Sequence, residues 1–181
     1  MRLDAGLAIL RPWKPGDRAA LVRHANDREI WRNLRDRFPH PYTDADADRW
    51  LEYACGREPE QEWVLAIDVA GEAIGCMTIA RQPDHPTTAE LGYWLGRAFW
   101  GRGIATAAVR TLSDRALAEP DIYRLEAGVF SWNPASVRVL EKAGFVREAA
   151  LRRAVLKDGV LLDRLLYART RDPGIPYLPA T

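Results

Sequence analysis

Apolar and polar positions along the chain change period several times, and each change marks an element. Near the amino terminus "LAILRPW" reads as a first strand. In "KPGDRAALVRHAN" a turn precedes Ala20, Leu21 and Ala25 at helical spacing, with Asp17 placed to cap the helix. "REIWRNLRDRF" predicts a second short helix that ends at the prolines of "PHPYT". Thr43, with Asp46 three residues later, makes a capping-box-like start for a helix over "DADADRWLEYACG", stopped by Gly56.

Strand-like runs follow. "EWVLAIDVAGEAIGCMTIARQ" holds two strands around "AGE", and "AELGYWLG" is a third, rich in aromatic residues that suit a pleated surface. After this meander the order becomes helix "GIATAAVRTLSDRALAE", strand "YRLEAGVF", helix "NPASVRVLEKAG", strand "FVREAALR" and, past the "KDG" turn, strand "LLDRLLYART". Strands alternating with helices imply parallel pairing in this second half. The predicted fold is therefore mixed α/β (α+β): a central sheet of about seven strands, antiparallel in its first half, with helices on both faces. At 181 residues the chain fits one domain over 1–170, and 171–181, "RDPGIPYLPAT", reads as an extended tail with three prolines in eleven residues.

Charge and composition narrow the function classes. Twenty-six basic and 25 acidic side chains give a net charge of +1 without blocks of one sign, which argues against bulk nucleic-acid binding. The two cysteines, Cys55 and Cys76, form no CxxC, and His24, His40 and His85 are scattered, so no metal site is expected. "MRLDAGLAIL" is too short an apolar stretch for a signal peptide, and nowhere do ~18 apolar residues run unbroken. A soluble, cytoplasmic protein with no membrane partner is the expectation.

Chemistry concentrates in "WGRGIATAAV", residues 100–109. A helix starts with backbone N–H groups that lack partners, and its dipole places roughly half a positive charge there. Gly101 and Gly103 remove side chains that would hold an anion away, and Arg102 adds a cation. The same glycines also suit a loop that needs permissive dihedrals before a helix. The Walker pattern fails, because Arg102 and Gly103 stand where lysine and a hydroxyl residue are required. The dinucleotide pattern GxGxxG fails at Thr106. The acyl-CoA pattern [QR]xxGx[GA] has Gly103 and Ala105 in place and departs at Trp100.

With "ELGYWLG" before this segment and "NPASVRVLEKAGF" after it, the chain resembles the GNAT superfamily of acyl-CoA-dependent N-acyltransferases over roughly residues 8–170. "PYT" at 41–43 and "GYWL" at 92–95 look like the branch that acetylates amino termini of ribosomal proteins. The resemblance implies a three-layer fold with its parallel pairing around an acetyl-CoA site. It implies that Tyr93, Trp94, Leu95, Trp100, Gly101, Arg102, Gly103, Ile104, Ala105, Thr106, Asn133 and Ser136 hold the cofactor, with the N–H groups near Tyr93 and Leu95 on a bulged strand.

Thioester-to-amine transfer needs a neutral amine, oxyanion donors and a proton for the thiolate. No cysteine–histidine arrangement points to a covalent intermediate, so direct attack in a ternary complex is the simpler route. Glu90 is the best-placed acid to take the amine proton, unless it is only a strand-end charge paired with an arginine. Asn133 before Pro134 also reads as an ordinary helix cap. Leu140 stands where many GNAT enzymes carry a tyrosine acid, which leaves Ser136, Tyr167 or a water as proton donor. Trp31, Arg35, His40, Tyr42 and Glu90 are the candidate acceptor contacts. The acceptor expected is an α-amine, such as a protein amino terminus, used by a monomer or homodimer. The alternatives are a small amine such as an antibiotic or polyamine, gripped by "DADAD" at 44–48, and a non-catalytic acyl-CoA-binding module.

Overall fold

The computed structural model describes residues 1–57, 62–172 and 174–178. Within them one sheet runs in the order β1-β2-β3-β4-β5-β6-β8-β7. Its strands are β1 Leu3–Asp4, β2 Ile9–Pro12, β3 Glu62–Val69, β4 Glu72–Gln82, β5 His85–Leu95, β6 Arg124–Phe130, β7 Val146–Lys157 and β8 Val160–Thr170. The helices are α1 Arg18–Ala25, α2 Arg28–Trp31, α3 Asp44–Cys55, α4 Ile104–Leu117 and α5 Pro134–Lys142. The eighth strand is β1, two residues paired with β2 and too short for any period to reveal.

Among the described residues only β5 and β6 pair in parallel. The helix crossover that permits this is α4. β7 and β8 are instead antiparallel, because the tight turn at Asp158 and Gly159, both at positive φ, folds the chain straight back.

Alternation along β3 shows the layering. Trp63, Leu65 and Ile67 share a core with Ile104, Val109 and Leu112 of α4 and Leu140 of α5. Val64 and Ala66 face the other core, with Leu21 and Ala25 of α1 and Ala47 and Leu51 of α3. Two buried faces on one sheet explain the nearly unbroken apolar run of β3. The capping box of α3 forms as the sequence indicates: Asp46 N–H donates to Thr43 Oγ1 at 3.3 Å, and Thr43 N–H donates to Asp46 Oδ2 at 2.8 Å.

Asp17 does not cap α1. It is buried and receives the Arg11 fork, Nη1 at 2.7 Å and Nη2 at 2.8 Å, while Arg11 Nε donates to Asp68 Oδ2 at 2.7 Å. Ion pairing to Asp17 raises the Arg11 pKa against the opposing effect of burial, and Asp68 adds to the rise. One guanidinium thus ties β2, the turn before α1 and the end of β3. Arg11→Met strands two buried carboxylates and is expected to cost about 3–5 kcal/mol in urea unfolding. Arg18→Gln, which removes the solvent-exposed pair to Asp48, should leave the midpoint unchanged.

Candidate active site

β5 and β6 are hydrogen-bonded only from Thr88↔Arg124 to Glu90↔Glu126, although β5 runs on to Leu95 and β6 to Phe130. Two bonds fix which backbone groups face the resulting gap. Thr87 O accepts from Tyr123 N–H on the β6 side, and Gly96 N–H donates to Ile74 O on the β4 side. By strand alternation the N–H groups of Leu91, Tyr93 and Leu95 point toward β6; the Glu90↔Glu126 rung still engages that of Leu91, whereas those of Tyr93 and Leu95 lie beyond the last rung. The ladder to β4 is regular from Ala89↔Arg81 to Leu95↔Gly75, and its register shift lies at Arg81/Gln82. The bulge expected at residues 93–95 is therefore absent: departure of β6 frees these donors.

The gap opens into a cavity of about 910 Å³. Its wall includes Tyr93, Trp94, Leu95, Trp100, Gly101, residues 103–106, Asn133 and Ser136, all expected near a cofactor. Gly101 and Gly103 adopt φ of 74° and 79°, so both glycines answer a backbone need as well as leaving the approach bare. The first bond of α4 runs from Ala107 N–H to Gly103 O at 3.0 Å, and among the described residues the N–H groups of 103–106 have no acceptor. The Trp100 indole donates to Leu95 O at 2.7 Å and closes the turn from β5 into this loop. Arg102 is outside the wall, because its guanidinium lies over the Phe99 ring, 5.3 Å from the centroid.

At the start of α5, Asn133 Oδ1 accepts Ser136 N–H at 3.0 Å, so the capping reading of Asn133 holds, and the residue also lines the cavity. Ser136 Oγ lies 2.7 Å from Tyr93 Oη. Burial pushes the Tyr93 phenol up to about 12. The pairing of Tyr93 with a residue 43 positions away has no local signal in the sequence. Tyr167 is not in the cavity wall: it is 1% exposed, and its hydroxyl donates to Glu141 Oε1 at 3.2 Å beneath α5.

Glu90 occupies the last rung before the strands part. Arg35 pairs with its Oε1, and Arg164 reaches the same atom at 3.4 Å. Arg164 comes from β8 and lies across Gly128 of β6, where a side chain would displace it. Neither Arg164 nor Gly128 was visible as a site residue in sequence. Of the acceptor contacts expected, Arg35, Tyr42 and Glu90 line the cavity. Trp31 and His40 do not; their rings stack on each other at 5.7 Å outside it.

Two sets of free backbone donors thus face one elongated space, fitted to a ligand that is anionic at one end and carries a carbonyl farther in. Among the described residues no group of three or more His, Cys, Asp or Glu could hold a metal ion, and no helix is long and apolar enough to cross a membrane. Residues 8–146, from β2 into the start of β7, match the acetyltransferase (GNAT) domain family. The probable N-acetyltransferase YjcK of Bacillus subtilis (strain 168) is 47% identical over 123 residues, 66% of this chain and 68% of the relative. The ribosomal-protein-serine acetyltransferase of Escherichia coli (strain K12) is 32% identical over 101 residues, 56% of each protein. The solved structure of RimL, a ribosomal L7/L12 alpha-N-protein acetyltransferase in complex with coenzyme A, has a TM-score of 0.83 at 20% identity, covering 96% of this chain and 99% of that one. The parted strands, the free amides at α4 and this match over most of the sequence together make the chain a member of the GNAT acetyltransferases, with acetyl-CoA as its cofactor.

Proposed function

We propose that this acetyltransferase modifies an α-amine, that of a protein or peptide terminus, by direct attack with both substrates bound. The observation that carries the reading is the state of the acids around the cavity. Glu29 pairs with Arg32, Asp46 with Arg49 and its own helix cap, Glu62 with Tyr53, and Glu90 with Arg35 and Arg164. The "DADAD" run is likewise engaged: Asp44 and Asp48 pair with Arg18. A polyamine would find no uncommitted carboxylate among the residues that line the cavity. An α-amine, roughly 10% or more neutral at pH 7, needs little base, whereas a lysine amine is under ~0.1% neutral. RimL as an alpha-N-protein acetyltransferase and the Escherichia coli relative as a ribosomal-protein-serine acetyltransferase support the same acceptor class.

Acetyl-CoA supplies the acetyl group as a thioester, an activated acyl carbon with a thiolate leaving group. The amides of Gly103 to Thr106 would hold its diphosphate, and Asn133 its amide-bearing arm. N–H groups of Tyr93 and Leu95 are the donors available to an acyl oxygen. Glu90 takes the amine proton, directly or through water, while Arg35 and Arg164 fix its Oε1. Ser136 delivers a proton to sulfur and is resupplied through Tyr93, whose phenol stays protonated because burial raises it to about 12.

Thiol release from acetyl-CoA with a panel of free-amine peptides tests the acceptor: turnover on α-amines and none on polyamines is expected, and the reverse order contradicts it. Ser136→Ala should lower kcat by about 10–100-fold while coenzyme A affinity stays within about twofold. Because Tyr93 is protonated below about 12, kcat should show no descending limb near pH 10; one that vanishes in Tyr93→Phe would contradict the relay. Glu90→Gln should cost about 10–100-fold in kcat/KM near pH 7 and much less above about pH 9, where the α-amine is already neutral. A loss independent of pH would remove Glu90 from proton transfer.

A further inference from the structure

The cavity's acceptor wall is held from a distant part of the chain. Residues 32–43 between α2 and α3 carry Arg35, Phe38 and Tyr42, which line it. Beneath this segment lies Lys157, the last residue of β7, with only 1% of its side chain exposed. Its Nζ donates to Asp36 Oδ1 at 2.8 Å and stands 4.0 Å from the centroid of the Trp31 ring. The next residue, Asp158, pairs with Arg28 of α2. All three contacts join the tip of the β7–β8 hairpin to α2 and the loop after it, across more than 120 residues of sequence.

A buried ammonium is tolerable only where a carboxylate and an aromatic face replace its water. Here Asp36 is 77% exposed and reaches inward, while Trp31 covers the cation from the other element. If the 32–43 segment lifts, Lys157 is left buried without its counter-charge, so the ammonium resists that movement. The same movement would carry Arg35 away from Glu90 and open the acceptor wall. Neither group touches the part of the cavity lined by the α4 amides.

We propose that Lys157 is a positioning residue for the acceptor: through Asp36 and Trp31 it fixes the segment that carries Arg35 against the gap between β5 and β6. This rests on the reading of residues 32–43 as the acceptor wall. It predicts a separation of effects. Lys157→Met and Asp36→Asn each raise the acceptor KM by about tenfold. They leave the coenzyme A dissociation constant within about twofold. Combined, they cost little more than either alone, because both break one pair. Lys157→Arg, which keeps the charge, should recover part of the loss.

The experiment is peptide kinetics and coenzyme A titration on the full chain, alongside backbone hydrogen exchange of the free proteins. Faster exchange confined to residues 28–43 in Asp36→Asn is expected, and because that side chain is exposed the variant keeps its fold even if Lys157→Met does not. Unchanged exchange in this segment overturns the proposal, as does an equal loss of acceptor and coenzyme A affinity. A wild-type protein that turns over no α-amine peptide would count against the acceptor class, while the exchange result still decides whether Lys157 holds the segment.

Discussion

The site exists because β5 and β6 stop sharing hydrogen bonds at Glu90 and Glu126 while each stays bonded to its outer neighbour. β5 remains paired to β4 through Leu95↔Gly75, where a larger residue at 75 would strike the Trp94 carbonyl. β6 remains paired to β8 through Phe130↔Arg164. Each strand is anchored on its far side, so neither can swing back to close the gap. Buried backbone donors normally demand partners, and here a row of them is left pointing into a cavity. That unmet demand is what a carbonyl-bearing ligand can satisfy, and it costs no reorganisation because the sheet already fixes the donors.

Two helix starts converge on the same space. α4 begins at Gly103 and α5 at Pro134, and both first turns line the cavity, so their dipoles add positive potential where an anionic cofactor lies. On the acceptor side the charges come from side chains and are largely compensated, with Arg35 and Arg164 meeting on one oxygen of Glu90. The cofactor end is thus electropositive through its backbone, and the acceptor end is balanced through ion pairs. Tyr93 sits between them, its hydroxyl on Ser136 and its backbone N–H turned to the gap.

What was legible in the sequence was local. The capping box at Thr43 and Asp46, the glycines before α4 and the Asn-Pro start of α5 each express their geometry within four residues, and each was read in place. Faces and long-range partners were not legible. Tyr167 and Arg164 both lie on β8, and without the register nothing says that Arg164 faces the cavity while Tyr167 packs under α5. Asp17 had a cap's position but went to a buried guanidinium, a stronger partner than a helix end. Arg102 followed the phosphate logic of its motif, yet its guanidinium lies over Phe99. The Lys157 contact with Asp36 links residues more than a hundred positions apart and leaves no periodic trace.

Residue-resolved amide exchange with and without coenzyme A tests the central claim most directly. Gly92 and Trp94 point their N–H groups at β4 and should already be protected in the free protein. Tyr93 and Leu95, together with residues 103–106, should exchange quickly alone and become protected on binding. Protection gained instead at Gly92 and Trp94, or no change at Tyr93 and Leu95, would contradict the account.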